Sequence, residues 1–190
     1  MSVLSQAQSA IGPLFASLTS DDSGAASPHL INESCFDFLQ MEMVHLLAAN
    51  ADASEKERDA AFFKLEMLGY RVGLGLAERF TKDRPRFLDT LDMVKFICKD
   101  LWMIMFKKQV DNLKTNHRGV YVLQDNNFRW FNRMSTEAGT SDAARKAAPY
   151  IWFPCGLIRG VLGSFGVVCA VHAETSNLPQ CTFQIKIAKI

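Results

Sequence analysis

Cysteine and histidine are the residue types in this chain best suited to bind a metal or act as a nucleophile, so their spacing bears first on function. The cysteines lie at positions 35, 98, 155, 169 and 181, and no two of them form a CxxC pair. Zinc ribbons and thioredoxin-like redox sites need such pairs. We expect these thiols to be reduced, as they would be in the cytosol.

The histidines give no metal site either. His45, His117 and His172 have no second ligand at helical or hairpin spacing, and an isolated histidine is usually a surface or core residue. GxSxG, P-loop and HExxH motifs are also missing. We therefore predict a non-catalytic protein without metal or cofactor. The sequence does not exclude a hydrolase that uses a Cys–His pair, since it contains both residue types, but no other feature of the sequence supports one.

Glycines recur in two apolar stretches that are predicted to be helical. The first contains Gly69, Gly73 and Gly75, and Gly73-Leu74-Gly75 begins a GxGxxG pattern that Glu78 breaks. Because small residues four apart let two helix backbones approach closely, helix packing is the better interpretation. The second stretch has similar spacing, with Gly156, Gly160 and Gly163. We predict helix-packing roles for Gly69, Gly73, Gly156 and Gly160.

Two acids, Glu42 and Glu66, lie within apolar helical stretches. Acidic side chains are rarely buried unless they are paired. We expect both to be exposed or to pair with a near neighbour such as Lys64 or Arg71.

Basic residues cluster after the second predicted helix, at Arg79, Lys82, Arg84 and Arg86. Such a run is usually solvated, although it could also face an acidic partner or anionic lipid. The formal net charge of the chain is only +1. A nucleic-acid-binding domain is usually basic, so we expect no nucleic-acid partner.

The elements that would position these residues follow an α+β pattern. Of the 190 residues, 48% are hydrophobic, which suits one folded domain at 31–190 after a disordered tail at 1–30. Cap signals and periodicity predict helices at about residues 33–49, 54–81, 86–108 and 154–165. Strands are predicted at about 113–117, 119–124, 127–132, 168–174 and 182–188. Residues 133–148 read as an internal loop, with room for a helical turn. Helices come first and strands cluster later, which indicates α+β.

The apolar run Tyr150–Val171 is long enough to span a membrane. It carries Arg159 near its middle and Pro154 near its start. A charge at the bilayer centre costs about 2.5–3.5 kcal/mol, so we predict a buried core helix instead.

The N-terminal helices have more apolar faces than one domain of this size needs. On the first helix, Phe36, Leu39 and Met43 share one side, while Phe38 and Met41 point the opposite way. The second helix also has two apolar faces, and the third is apolar nearly all round. Exposed apolar patches usually mark interfaces. Alternatively, the sheet and the fourth helix cover every face.

Several blocks, in order along residues 33–190, make the chain similar to the small subunits of the transport protein particle (TRAPP) complex. They are FLQMEMV, GYRVGLGLAERF, FICKDLW, LKTNHRGVYVLQDNNF, PCGLIRGVLGSFGV and CTFQIKI. The resemblance implies four main helices packed on a twisted antiparallel β-sheet. It does not extend to the tail.

The resemblance also implies a function. The family's complex tethers vesicles in ER-to-Golgi and Golgi traffic and acts as a Rab guanine-nucleotide exchange factor, to which this chain would contribute structure. Such a chain would lie in the cytoplasm, peripheral to cis-Golgi and endoplasmic reticulum membranes through the complex. The resemblance further implies that the chain forms a heterodimer with TRAPP subunit 3 through its first two helices and contacts other TRAPP subunits.

We therefore predict a partner interface at seven side chains of these helices: Phe38, Met41, His45, Phe62, Phe63, Met67 and Tyr70. Subunit 3 carries an acylated cysteine in the loop after its second helix, whereas this loop reads TKDRPRF and has none. Two alternatives stay open. The isolated chain could form a homodimer, or the third helix could line an apolar tunnel in a lipid- or small-molecule-binding module.

Overall fold

The computed structural model describes residues 32–49, 54–116, 118–132, 134, 137 and 139–188. The predicted tail at 1–30 lies outside these residues. The chain divides into two units, Met1–Phe38 and Leu39–Ile190. In the first unit, the described residues form a helix start in which Asn32 Oδ1 accepts the N–H of Ser34 at 2.9 Å. The rest of the fold belongs to the second unit.

The first two helices begin where the sequence places their caps. Helix α1 (Glu33–Ala48) follows Asn32, and helix α2 (Glu55–Thr81) follows Ser54. The Ser54 hydroxyl accepts the N–H of Glu57 at 3.2 Å and donates to the Glu57 carboxylate at 2.8 Å. The first of these bonds is the N-cap bond of the S-x-x-E pattern, and it satisfies one amide that the first helical turn leaves free.

The third predicted helix starts later than expected. Helix α3 (Thr90–Phe96) continues through a π-helical segment (Ile97–Leu101) into helix α4 (Trp102–Phe106), and we call this stretch the central helix. The predicted start at Arg86 is wrong because Asp89 is extended and accepts the N–H of Asp92 at 2.7 Å. Lys107 ends the stretch in the left-handed region, with φ 59°.

The described strands form one antiparallel sheet in the order β1–β2–β4–β3. They are β1 (Asn112–Thr115), β2 (Val120–Asp125), β3 (Cys169–Glu174) and β4 (Cys181–Ile187). The predicted hairpin joins β1 and β2, where Asn116 Oδ1 accepts the N–H groups of Arg118 and Val120. Alternate β4 residues are buried, as the sequence pattern predicts. Together with the helices, this sheet confirms the α+β class.

The strand predicted at 127–132 is wrong. Asp125 Oδ1 accepts the N–H of Asn127 at 3.0 Å, a local turn that takes the chain out of β2. A 3-10 turn (Arg129–Phe131) follows, and Phe128 and Phe131 are both buried. Since strand residues alternate between faces, a cluster of buried aromatics here favours a turn inside the core.

The loop predicted at 133–148 contains helix α5 (Thr140–Ala147), which is longer than the single helical turn allowed for there. Asp142, in the first turn, pairs with Arg145 at 3.1 Å and Lys146 at 2.9 Å. Ion pairs three and four residues apart support a helix on the surface. A short 3-10 segment (Ala148–Ile151) leads into helix α6 (Trp152–Ser164).

Aromatic rings from the central helix, the 3-10 turn and β4 form the middle of the core. Trp102 lies 4.6 Å from Phe106 and 5.2 Å from Phe183, measured between ring centroids. Phe106 lies 4.8 Å from Phe128. The domain itself therefore covers the apolar sides of the central helix, whereas Lys95 and Lys99 on its remaining side are exposed.

Helix α6 is also a core element, as predicted. Its buried side chains include Phe153, Leu157, Ile158 and Val161. Of the helices that the structure describes, none combines the length and hydropathy needed to cross a membrane.

Asp125 connects the central helix to the sheet. Its fully buried carboxylate accepts hydrogen bonds from Trp102 Nε1 at 2.8 Å and Lys108 Nζ at 2.6 Å. Lys108 also donates to Asp111 at 2.8 Å. Burial opposes the charge on Lys108, but the hydrogen bonds to Asp111 and Asp125 outweigh it and raise the lysine pKa. The ammonium therefore stays charged at neutral pH.

We expect Asp125→Ala to lower the free energy of unfolding by about 2–4 kcal/mol, because it leaves the buried indole N–H of Trp102 without its acceptor and removes one of the two carboxylates that Lys108 contacts. Urea denaturation measures this loss. The matched control is Lys95→Ala, which breaks an exposed pair with Asp92 and should cost at most about 0.5 kcal/mol. Equal losses for the two variants would contradict the role given to Asp125.

Candidate partner interface

Helix α2 packs closely against α6 along one side. The buried α2 residues are Ala61, Leu65, Glu66, Gly69, Gly73 and Ala77. They recur every three to four residues, so they form one stripe of the helix. This stripe fixes how α2 is oriented and thereby which of its side chains remain outside.

Four glycines allow the two backbones to meet. A methyl group on Gly69 or Gly73 of α2 would lie less than 3.0 Å from a backbone carbonyl oxygen of α6. A methyl group on Gly156 or Gly160 of α6 would come equally close to α2 backbone. Real Cβ atoms do not approach backbone atoms so closely, and a backbone carbonyl cannot swing away as a flexible side chain can. The structure thus places all four predicted glycines at one helix–helix contact.

A buried ion pair crosses the same contact. Glu66 is only 8% exposed, and its carboxylate accepts from Arg159 Nε and, at 2.7 Å, from Arg159 Nη2. The guanidinium also lies 4.5 Å from the centre of the Tyr70 ring. Lys64 and Arg71, the partners suggested by sequence, are exposed and do not pair with it. That prediction is wrong because the true partner lies 93 residues away and reaches Glu66 only across the helix contact.

The remaining sides of α1 and α2 carry exposed apolar side chains. In the second unit, Leu46 is 77% exposed and Phe63 is 62% exposed, while Leu39 and Met41 are also exposed. In the first unit, Phe38 is 66% exposed. Burying one such side chain contributes about 1.5–3 kcal/mol, so the exposed apolar side chains of each unit favour a covering partner.

The seven predicted interface residues fall into two groups. Phe38, Met41, His45 and Phe63 are exposed. The other three are half-buried and contact α6. The ring of Phe62 packs edge-on against that of Trp152, with 5.8 Å between the ring centroids. Met67 and Tyr70 both contact the guanidinium group of Arg159. The second group holds α2 in place, and the first group is available to a partner.

Sequence reasoning assigned the faces of α1 differently. It placed Leu39 with Phe36 and Met43 on one apolar side. In the structure Gln40 and Val44 are the buried residues, and Leu39 and Leu46 are exposed. Apolar residues surround most of this helix, so hydrophobic spacing could not select the buried stripe. Leu39 and Leu46 are therefore additional interface candidates.

The cysteines of the second unit are poorly suited to catalysis. Burial raises the pKa of Cys98 to about 12 and that of Cys169 to about 11. Burial also raises the pKa of Cys155 and Cys181 well above its usual value. The thiolate is the reactive form, and it is scarce at neutral pH under these conditions. Among the described residues, no group of His, Cys, Asp and Glu could hold a metal ion.

Comparison with known proteins agrees with this architecture. Residues 36–188 match the family model described as transport protein particle (TRAPP) component. Human trafficking protein particle complex subunit 6B is 49% identical over 161 residues, covering 85% of this chain and all of that protein. Human subunit 6A is 41% identical over 155 residues, covering 81% of this chain and 96% of that protein.

A solved structure shares the fold. The crystal structure of subunit 3 of the trafficking protein particle complex from Naegleria fowleri, covalently bound to palmitic acid, superposes with a TM-score of 0.64. The match covers 83% of this chain and 98% of the other at 15% identity. At this identity the match concerns the fold alone.

We expect Gly156→Ala to destabilise the chain by several kcal/mol, because the new methyl group would force the α2 and α6 backbones apart. Thermal and urea unfolding measure this loss. The matched control is Gly75→Ala. A methyl group on this α2 glycine would have no neighbouring atom within 4 Å, so alanine should stabilise the helix by up to about 1 kcal/mol. A harmless Gly156→Ala would show that the close approach is not required.

Proposed function

The chain belongs to the transport protein particle (TRAPP) component family, and we propose that it is a non-catalytic assembly subunit of the TRAPP complex. The observation that carries this proposal is the exposed apolar surface of α1 and α2. Phe63 and Leu46 are exposed on helices whose other sides are buried. A partner that covers them would gain the hydrophobic free energy that the isolated chain forgoes.

The proposed partner is TRAPP subunit 3. The family resemblance implies that the first two helices of each subunit meet about a pseudo-twofold axis. The shared fold of this chain and the Naegleria fowleri subunit 3 supports such a pairing, because similar helix faces can be presented from both sides. The half-buried Phe62, Met67 and Tyr70 would support the interface from behind.

Within the complex, the chain would contribute to vesicle tethering in ER-to-Golgi and Golgi traffic. It would support the exchange of guanine nucleotide on a Rab GTPase by architecture rather than by chemistry of its own. This places it in the cytoplasm, peripheral to cis-Golgi and endoplasmic reticulum membranes through the complex. The raised thiol pKa values of the buried cysteines favour this structural role over a Cys–His hydrolase.

The alternative function, an apolar tunnel along the central helix, is less well supported. Trp102 and Phe106, which would line it, are fully buried and contact the rings of Phe128 and Phe183. Side chains therefore occupy the space next to this part of the central helix. The segment after α2, residues 82–89, also has no cysteine to which an acyl chain could attach.

We expect Phe63→Asp to weaken binding to TRAPP subunit 3 by at least about tenfold, because a carboxylate would replace a ring buried in the interface. Isothermal titration calorimetry with the folded variant measures this change.

The matched control is Val168→Asp. Val168 is 68% exposed, close to the 62% of Phe63, but it lies just before β3 and not on α1 or α2. Unchanged affinity of Phe63→Asp, or an equal loss for Val168→Asp, would reject this face. Light scattering on the chain with and without subunit 3 separates a heterodimer from a homodimer.

A further inference from the structure

The linker between α2 and α3 borders a cavity of about 510 Å³. The lining combines apolar side chains with charged ones: Arg84, Pro85, Arg86, Phe87, Leu88, Asp92, Lys95, Phe96, Lys99 and Asp100. Phe87 anchors the linker, because its ring lies 5.5 Å from Phe96 and 4.8 Å from Phe165, measured between centroids. The apolar part of this cavity is thus continuous with the core.

Leu88 projects from this linker and is 92% exposed. It is the most exposed large apolar side chain among the described residues. Both of its neighbours are held in place: Phe87 by its ring contacts and Asp89 by capping α3. The backbone on either side therefore fixes Leu88 in an outward position.

Charged side chains line the cavity that Leu88 borders, and the carboxylate of Asp89, which caps α3, follows Leu88 directly. Four cations and two carboxylates line the cavity, and two of the cations are neutralised: Arg84 pairs with Asp100 at 3.0 Å and Lys95 with Asp92 at 3.2 Å. Arg86 and Lys99 form no ion pair with any described residue. The rim of the cavity therefore carries a net positive charge that is free to bind an anionic surface.

We propose that this linker is a membrane-contact surface of the chain, in which Leu88 enters the acyl boundary of an anionic bilayer while Arg86 and Lys99 bind lipid phosphates. Leu88 lines the same cavity as Arg86 and Lys99, and peripheral proteins combine exposed apolar side chains with nearby cations at the bilayer interface. Anionic lipid supplies both requirements at once: an apolar medium for the leucine and negative charge for its neighbours.

This surface is separate from the proposed subunit interface. Phe63 precedes the end of α2 at Thr81 by 18 residues, which is about 27 Å along the helix axis. A partner on the Phe63 face would leave the linker accessible, so both contacts could form together. The membrane contact does not depend on which subunit covers α1 and α2.

The test is vesicle flotation of the full chain with phosphatidylcholine vesicles, with and without phosphatidylserine. We expect binding to the anionic vesicles only, and weaker binding as salt is raised. Each cation near an anionic membrane contributes about fivefold to the partition coefficient, so Arg86→Ser with Lys99→Ser should lower it by about 30-fold. Leu88→Ser should lower it by about tenfold or more.

Matched controls remove equivalent side chains from other surfaces. Lys56→Ser with Lys64→Ser removes two exposed cations from α2, and Val168→Ser removes an exposed apolar side chain just before β3. Both should bind anionic vesicles as the unaltered chain does. If the unaltered chain fails to bind anionic vesicles at low salt, or if the controls lose as much binding as the linker variants, the proposal is overturned.

A second measurement separates insertion from charge attraction alone. Tryptophan in the Leu88→Trp variant should be quenched by brominated phospholipid in bound vesicles, whereas the Val168→Trp variant should show no quenching beyond that of the unaltered chain. Binding without extra quenching of Leu88→Trp would reject the insertion of Leu88. Binding of an acidic protein but not of vesicles would assign the surface to a protein partner and overturn the membrane contact.

Discussion

The close approach of α2 and α6 is the constraint on which much of this structure depends. The two backbones can meet because glycine, which has no side chain, occupies the contact positions on both helices. These are Gly69 and Gly73 on α2 and Gly156 and Gly160 on α6. Each glycine lowers helix propensity by about 1 kcal/mol, and the dense contact between the helices offsets that cost. The ion pair of Glu66 with Arg159 lies in the same contact, where an unpaired charge would be strongly destabilising.

Because one stripe of α2 is committed to α6, its other side chains have few ways to be covered by this chain. Phe63 therefore stays exposed although it is a phenylalanine in the middle of a long helix. A rigidly held apolar side chain loses little conformational freedom when a partner covers it. The same packing thus fixes the fold of the domain and prepares a surface for assembly.

The interior is specialised for stability rather than for chemistry. Aromatic rings around Phe128 join the central helix, the 3-10 turn and the sheet, and Asp125 connects the same elements by hydrogen bonds to Trp102 and Lys108. The cysteines of the second unit are shielded from ionisation by burial. The exposed apolar side chains that a partner could cover lie on the surface, on α1, on α2 and on the linker that carries Leu88.

The sequence by itself determined the local features. The Ser54 cap of α2, the alternating burial of β4 and the glycine spacing on α2 and α6 are each set by residues a few positions apart, and so could be predicted. Only the tertiary structure decided which sides of α1 are buried, that Glu66 pairs with Arg159, and that the chain turns into the core at Phe128. These outcomes depend on contacts between distant segments, and a residue's spacing to its neighbours carries no information about where such segments meet.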